Sequence, residues 1–159
     1  MAESSLPNTI EIREARRGDV AAIVTLLADD PLGQSREENT DPLPQSYFRA
    51  FDEIADQRGN LLLVADMDGR VIGCLQLTMI PGLTRRGMKR GQIEGVRVAP
   101  SQRGHGLGER LIRHAIGIAR AGGCGLVQLT TDKSRPDAHR FYEGLGFVAT
   151  HLGMKLALD

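Results

Sequence analysis

The sequence predicts a single α/β domain in which a mixed β-sheet of about seven strands is flanked by about four helices. Three observations predict this fold. Segments with strand-type alternation or short apolar runs are interleaved with segments whose apolar residues recur every three or four positions, as in helices. Residues 92–130 form a strand–helix–strand unit, which requires parallel neighbouring strands. The 159 residues contain no internal repeat and suit one domain.

Each element of this prediction has its own signal. Four segments carry a helical apolar stripe, at residues 20–27, 47–54, 111–119 and 138–145. The turn Met67-Asp68-Gly69-Arg70 joins two apolar runs and predicts a hairpin. The predicted strands are 9–15, 61–66, 71–79, 92–98, 126–130 and two short ones, around Val148 and over 154–158. The charged segment 29–43 and the glycine-rich, basic segment 80–91 are expected to be loops.

The composition disfavours nucleic acids and anionic membranes as partners. Twenty Lys and Arg side chains balance twenty Asp and Glu side chains, whereas such partners select for a positive excess. Aromatic residues, on which nucleic-acid bases stack, make up only 4% of the chain. The longest apolar run, residues 61–65, is far shorter than a membrane span. The expected partner is therefore a small molecule or a protein.

The N-terminus lacks the basic region and apolar run of an export signal, which indicates a cytoplasmic protein. Residues 1–8 are expected to form a flexible leader, and residues 9–159 a single domain. Cys74 and Cys124 lie in apolar surroundings without CxxC spacing, so buried small side chains are favoured over a disulfide or a metal site. The four histidines have no useful metal-binding spacing either, and no metal is expected.

A glycine-rich loop carries the sharpest functional signal. Gly104, Gly106 and Gly108 follow the strand end Val98-Ala99-Pro100 and open a helix. Unpaired N–H groups and the positive end of the helix dipole make such a loop an anion site suited to a pyrophosphate, and Arg103 adds a positive charge. The spacing fits neither a Walker loop nor a G-x-G-x-x-G dinucleotide fingerprint. A tight turn without a ligand stays as the alternative.

Two motifs in this order resemble the GNAT superfamily of N-acetyltransferases. The family's acetyl-CoA motif, Q/R-x-x-G-x-G/A after a strand ending V-x-P, is similar to Arg103-Gly104-His105-Gly106-Leu107-Gly108 after Val98-Ala99-Pro100. A second signature, A-x-x-F-Y-x-x-x-G-F, is similar to residues 138–147 of the segment DAHRFYEGLGF. The resemblance covers residues 9–158. It implies acetyl-CoA as co-substrate and a gap between the fourth and fifth strands that holds the pantetheine arm.

The resemblance also implies which residues bind the co-substrate. Main-chain groups of Val96 and Val98 would bond the acetyl carbonyl and the pantetheine, and amides of residues 103–108 would bind the pyrophosphate. Many relatives carry Asn seven residues before the tyrosine, where this chain has Arg135, which could instead meet a CoA phosphate. The implied set is Val96, Val98, Arg103, Gly104, His105, Gly106, Leu107, Gly108, Glu109, Arg135 and Tyr142.

Acetyl transfer needs a proton donor for the departing thiolate and a base for the amine. Tyr142 suits the first role because a phenol holds its proton at neutral pH, although a core aromatic is the alternative interpretation. Glu94 is the candidate base, placed by strict strand alternation on the same face as Val96 and Val98. A structural carboxylate is equally compatible with the sequence, and His151 is a weaker alternative base.

The sequence therefore predicts an N-acetyltransferase that moves the acetyl group of acetyl-CoA to a primary amine by direct attack in a ternary complex. The alternative is a non-catalytic acetyl-CoA-binding regulatory module, which would not need Tyr142. The amine cannot be read from the sequence, because the loops that build its pocket are not specified by fold. The basic segment, residues 85–90, is compatible with an acidic substrate, with a homodimer contact or with a solvated loop.

Overall fold

The computed structural model describes residues 9–158, so the predicted leader lies outside the described residues. The predicted α/β class with a mixed sheet is confirmed. In the described range the sheet has five strands in the order β1-β2-β3-β4-β5, antiparallel except for the parallel pair β4–β5. The strands are β1 (Ile10–Glu14), β2 (Asn60–Met67), β3 (Arg70–Ile80), β4 (Lys89–Val98) and β5 (Cys124–Leu129). The helices are α1 (Val20–Leu27), α2 (Pro31–Arg36), α3 (Gln45–Asp56), α4 (Thr84–Gly87), α5 (Leu107–Ala121) and α6 (Pro136–Gly144).

Helices cover both faces of the sheet, and each face buries its own apolar cluster. On one face, the predicted stripe of α5 packs on side chains of β3 and β4 such as Leu75, Leu77 and Ile93. On the other face, Ile23 and neighbouring apolar side chains of α1 pack against Val64 and Cys74. Removing these apolar side chains from water is the main stabilising contribution to the three-layer arrangement.

An ion-pair network fixes the start of α1 to the sheet. Arg13 on β1 donates hydrogen bonds to Asp19, which immediately precedes α1, and to Asp66 on β2. The charges are largely shielded from water, with side chains 14–16% exposed. Hydrogen bonds from Arg13 are the largest cause that lowers the pKa of both Asp19 and Asp66. This network therefore helps to orient α1 and the connection that follows it.

The prediction of two closing strands is wrong for the described chain. Residues 147–158 form neither helix nor strand, and the sheet has five strands rather than about seven. Alternating apolar residues give a segment the propensity for a strand, but a strand exists only when a second backbone pairs with it. Residues 148–158 have no such neighbour within the described chain.

The helix count also exceeds the prediction, because two short helices lie in segments expected to be loops. Asp30 caps α2 by accepting a hydrogen bond from the Gly33 amide, and Pro31 occupies the first helical position. The second, α4, is a single turn in which Arg85 and Arg86 have left-handed backbones. No helix between residues 9 and 158 combines the length and the apolar character that a bilayer crossing needs.

Candidate active site

A β-bulge in β4 organises the site. Cys74 of β3 pairs with Arg97, and Gln76 pairs with Glu94, so Leu75 alone faces both Gly95 and Val96. The extra residue is accommodated because Gly95 adopts φ of +61°, a conformation that side chains with a Cβ rarely adopt. The Gly95 carbonyl accepts a weak hydrogen bond from the Cys74 thiol at 3.6 Å. As a result, the order in which successive side chains of β4 point to the two faces of the sheet is reversed beyond the bulge.

The bulge corrects the predicted orientation of Glu94. Val96 and Val98 pack against the α5 face with Ile93. Glu94 is paired with Gln76, and Arg97 is paired with Cys74. Glu94 and Arg97 therefore lie on the opposite face of the sheet, where α1 packs. Strict alternation had placed Glu94 with Val96 and Val98, and it fails because one inserted residue reverses the phase of a strand. Glu94 is exposed there.

The expected gap between the fourth and fifth strands is present. Pairing of β4 with β5 begins at Lys89 and ends where Ile93 faces Leu129. Beyond this point β4 continues for five residues to Val98, while β5 has ended. The main chain of residues 94–98 is therefore not paired on the side that faces away from β3.

The glycine loop meets α5 beside this gap. Gly104 and Gly106 have φ values of +77° and +78°, and a Cβ at either position would stand in open space. Gly106 is the N-cap of α5, so amides of the first helical turn point toward the loop. Leu107 is buried and offers only its main chain, while Gly108 packs closely under Phe141 of α6. His105 is exposed, and Glu109 pairs with Arg113 along the helix.

The α1–α2 connection brings two aspartates to the arginines of the site. Asp29 accepts a hydrogen bond of 2.5 Å from Arg103, whose guanidinium also reaches the Val98 carbonyl. Asp30 lies 3.6 Å from the guanidinium nitrogens of both Arg97 and Arg135. Three arginines therefore share two carboxylates, which leaves one positive charge in excess.

The Asp30 cluster is incompletely hydrogen-bonded. Oδ2 of Asp30 and Nε of Arg97 are buried without a hydrogen-bond partner in the described structure. A buried polar atom without a partner carries an energetic cost, and such atoms gather where a ligand completes the bonding. Arg135, at the start of α6, is more exposed than Arg97.

Tyr142 of α6 lies next to these arginines. Its ring is half-buried and makes edge-to-face contacts with Phe141 and Phe147. Burial, the largest cause, raises the pKa of the phenol above its ordinary value of 10.0, and the positive charges of Arg135 and Arg97 act in the opposite direction. Among the described residues, no hydrogen bond to the hydroxyl contributes to this pKa. Tyr142 therefore holds an available proton at neutral pH.

Three charged residues of this site were missed in the sequence: Asp29, Asp30 and Arg97. A signal for Asp30 existed, because an Asp before Pro is typical of a helix start, and α2 does begin there. No such signal marks Arg97, whose position depends on the bulge. Cys74 is buried, as expected, and burial raises the pKa of its thiol to about 12. In the described part of the chain, no group of His, Cys, Asp and Glu side chains could hold a metal ion.

Known acetyltransferases are similar to this chain in sequence. The model of the acetyltransferase (GNAT) family matches residues 21–147. Glucosamine 6-phosphate N-acetyltransferase of Trypanosoma brucei brucei is 41% identical over 111 residues, which cover 66% of this chain and 73% of that protein. Aminoalkylphosphonate N-acetyltransferase of Salmonella typhimurium is 35% identical over 91 residues, covering 57% of this chain and 58% of that protein.

A solved structure shares the fold of almost the whole of this chain. It is described as a transcriptional regulator from Bacillus halodurans C-125, is 50% identical and superposes with a TM-score of 0.92 over 94% of this chain and 100% of that one. The chain belongs to the acetyltransferase (GNAT) family. Its activity is the transfer of an acetyl group from acetyl-CoA to an amine.

The residues present fit acetyl-CoA. The open loop around Gly104 and Gly106 offers amides to a pyrophosphate, as a helix N-terminus does in many anion sites. The unpaired edge of β4 next to it presents main-chain groups over residues 94–98. Tyr142 of α6 packs against the same apolar cluster as Val96 and Val98, and Arg135 immediately precedes that helix.

Loss of the open loop should weaken acetyl-CoA binding. We expect Gly106→Val to raise the Kd for acetyl-CoA by at least roughly tenfold, because a side chain in that space blocks close approach to the backbone. The measurement is isothermal titration calorimetry on the full chain.

Gly123→Val is the matched control. Gly123 has φ of +79°, also faces open space and follows the opposite end of α5. Both substitutions impose the same backbone strain, so melting temperatures should fall by similar amounts while only Gly106→Val weakens binding. An unchanged Kd in folded Gly106→Val would refute the loop as the pyrophosphate site.

Proposed function

We propose that this acetyltransferase acts on a primary amine that also carries a phosphate or phosphonate group. The observation that carries the proposal is the cluster of Arg97 and Arg135 around the single carboxylate of Asp30, beside Tyr142. Two guanidinium groups against one carboxylate leave a positive charge for an anionic acceptor, and arginine is well suited to bind phosphate oxygens in pairs.

The named substrates of two relatives support this acceptor class. Glucosamine 6-phosphate and aminoalkylphosphonates both combine an amine with a phosphorus oxyanion. In this chain Arg97 shares the α1 face of β4 with Glu94. The anionic group of the acceptor would bond to Arg97 and Arg135, and the amine would then lie toward Glu94.

Glu94 is the proposed base. Because it is exposed and lies one residue before the bulge, it is accessible from the acceptor side, directly or through one water molecule. Acetyl-CoA supplies a thioester carbonyl that an amine can attack. Val96 and Val98, on the other face, would hold acetyl-CoA through their main chains. The loop residues Arg103 to Gly108 and Glu109 are further proposed contacts.

Tyr142 is the proposed acid. Its phenol is protonated at neutral pH, because burial raises its pKa, and its ring packs against the same apolar cluster as Val96 and Val98. Donation of this proton to the departing sulfur avoids release of a free thiolate. Both side chains return to their starting protonation states through solvent, because the proton that Glu94 takes from the amine replaces the proton that Tyr142 donates.

The acceptor class is tested with matched amines. The wild type should acetylate glucosamine 6-phosphate and phosphoethanolamine with at least roughly tenfold higher kcat/KM than glucosamine and ethanolamine. Arg97→Gln and Arg135→Gln should each lower kcat/KM for the phosphorylated amines by roughly 10–100-fold, the value of a charge-assisted hydrogen bond. In both variants, kcat/KM for glucosamine and ethanolamine, which carry no phosphate, should stay within about twofold of the wild-type values.

The control for these variants is Arg17→Gln, which removes an exposed arginine paired with Asp52 away from the site. Rates of thiol release measured at varied acetyl-CoA concentrations give the KM for acetyl-CoA separately from the kinetic constants for the amine. Equal use of phosphorylated and plain amines by the wild type would contradict the acceptor class. A raised KM for acetyl-CoA alone would assign the arginines to phosphates of that molecule.

The base is tested by Glu94→Gln. The variant cannot accept a proton, so its kcat/KM deficit should be largest at low pH, where the acceptor is an ammonium ion. The deficit should shrink as pH rises through the amine pKa, because free amine is then supplied by solvent. Glu53→Gln, an exposed glutamate on α3, should match the wild type throughout. A deficit that is constant across pH would make Glu94 structural.

The acid is tested by Tyr142→Phe. We expect kcat to fall by roughly 10²–10⁴ with little change in the Kd of acetyl-CoA. Burial keeps the phenol protonated, so the deficit should be constant between about pH 6 and pH 9, unlike that of Glu94→Gln. Tyr47→Phe removes the other tyrosine hydroxyl of the chain and should retain kcat within about twofold. Comparable turnover in both variants would exclude Tyr142 as the donor.

A further inference from the structure

A row of polar side chains crosses four strands on the α1 face of the sheet. Thr78 of β3 pairs with Asn60 of β2 and with Gln92 of β4, and Gln92 pairs in turn with Gln128 of β5. Gln92 lies two residues before Glu94 and also precedes the bulge, so both side chains are on this face. A polar row of this kind is typical of a sheet face that meets water or a polar ligand rather than an apolar core.

The two ends of the row differ in their hydrogen bonding. At the β2 end, Oδ1 of Asn60 accepts hydrogen bonds from Gln76 at 2.9 Å and from Thr78 at 3.1 Å, and all three residues are half-buried. At the other end, Gln128 donates a hydrogen bond of 2.7 Å to Gln92, and Gln128 is exposed. The β2 end is therefore an internal network, whereas the carboxamides of the β5 end are accessible to a ligand.

The Gln92–Gln128 pair has hydrogen-bonding capacity beyond its own bond. A carboxamide offers two N–H donors and two lone pairs on its oxygen. The bond between the two side chains uses one N–H of Gln128 and one lone pair of Gln92. The pair can therefore donate and accept at the same time, as a hydroxyl group does. Because the carboxamides are uncharged, they suit hydroxyl groups better than a further anionic group.

The order of side chains along β4 relates this pair to the proposed acceptor. On the α1 face, the order from the bulge toward the start of the strand is Arg97, Glu94 and Gln92. Next neighbours on one face of a regular strand are roughly 7 Å apart, within reach of a glutamine side chain. In the proposed function the phosphate is bound at Arg97 and the amine lies at Glu94. The carboxamides would then lie beside the carbon atoms next to the amine.

We propose that Gln92 and Gln128 make the enzyme specific for an amino sugar phosphate, by binding hydroxyl groups on the carbons adjacent to the amine carbon. This inference rests on the proposed function and narrows it. A 2-amino hexose phosphate carries hydroxyl groups on both sides of the amine carbon. A linear aminoalkyl phosphate carries only hydrogen atoms near its amine, so it gains nothing from the carboxamides. A site that hydrogen-bonds a substrate hydroxyl discriminates against an analogue that lacks it.

The experiment uses four amines, namely glucosamine 6-phosphate, glucosamine, phosphoethanolamine and ethanolamine, with thiol release measured on the full-length chain. The wild type should use glucosamine 6-phosphate with at least roughly tenfold higher kcat/KM than phosphoethanolamine. Gln92→Leu and Gln128→Leu should each lower kcat/KM for both sugars by roughly fivefold to tenfold, the value of one hydrogen bond between neutral groups. The values for both linear amines should stay within about twofold of those of the wild type.

The matched control is Gln57→Leu. Gln57 is exposed and accepts a hydrogen bond of 2.7 Å from Asn60, so this variant also removes a carboxamide pair, but at the β2 end of the row. It should match the wild type with all four amines. The melting temperatures of the three variants and their Kd for acetyl-CoA should equal those of the wild type, which separates loss of recognition from loss of folding.

Two results would overturn the inference while leaving the proposed function intact, provided that phosphorylated amines remain preferred over plain ones. One is a wild type that uses phosphoethanolamine as well as glucosamine 6-phosphate. The other is an equal loss for sugars and linear amines in the glutamine variants. Conversely, equal use of phosphorylated and plain amines, with the loss in the variants confined to sugars, would refute the proposed function and support the role of the glutamines. Absence of turnover with all four amines would overturn both.

Discussion

The site depends on one local constraint, the bulge at Gly95. One additional residue in β4 places Val96 and Val98 on the face of α5, while Glu94 and Arg97 face α1. In the proposed mechanism this single strand would serve both sides of the reaction, with main-chain contacts for the co-substrate and charged side chains toward the acceptor. The neighbouring gap, which opens where β4 and β5 stop pairing after Ile93, would give the co-substrate and the acceptor access to the same strand.

The arrangement of charged side chains around β4 results from contacts between residues far apart in the sequence. The α1–α2 connection supplies Asp29 and Asp30, and its position depends on α1, which the Arg13 network attaches to the sheet. Asp30 keeps Arg97 and Arg135 together without neutralising both of them. The resulting excess charge opposes the effect of burial on the Tyr142 pKa, so the same arginines that would bind an anionic acceptor also adjust the proposed acid.

The sheet edge and the active site are close to each other. β5 ends at Leu129, where the gap opens, and the C-terminal segment, residues 148–158, passes Thr130 immediately afterwards.

The sequence by itself determined most of the elements and the position of the glycine loop that is proposed to bind the co-substrate. Apolar periodicity predicted α1, α3, α5 and α6, and the alternating glycines marked the helix N-terminus, because these signals depend on local backbone geometry. Tertiary structure alone decided the rest. The bulge reversed the face of Glu94, and Arg97 joined Asp30 only through folding. The two closing strands were predicted from propensity, yet residues 147–158 form none, because a strand needs a pairing partner that the described residues do not provide.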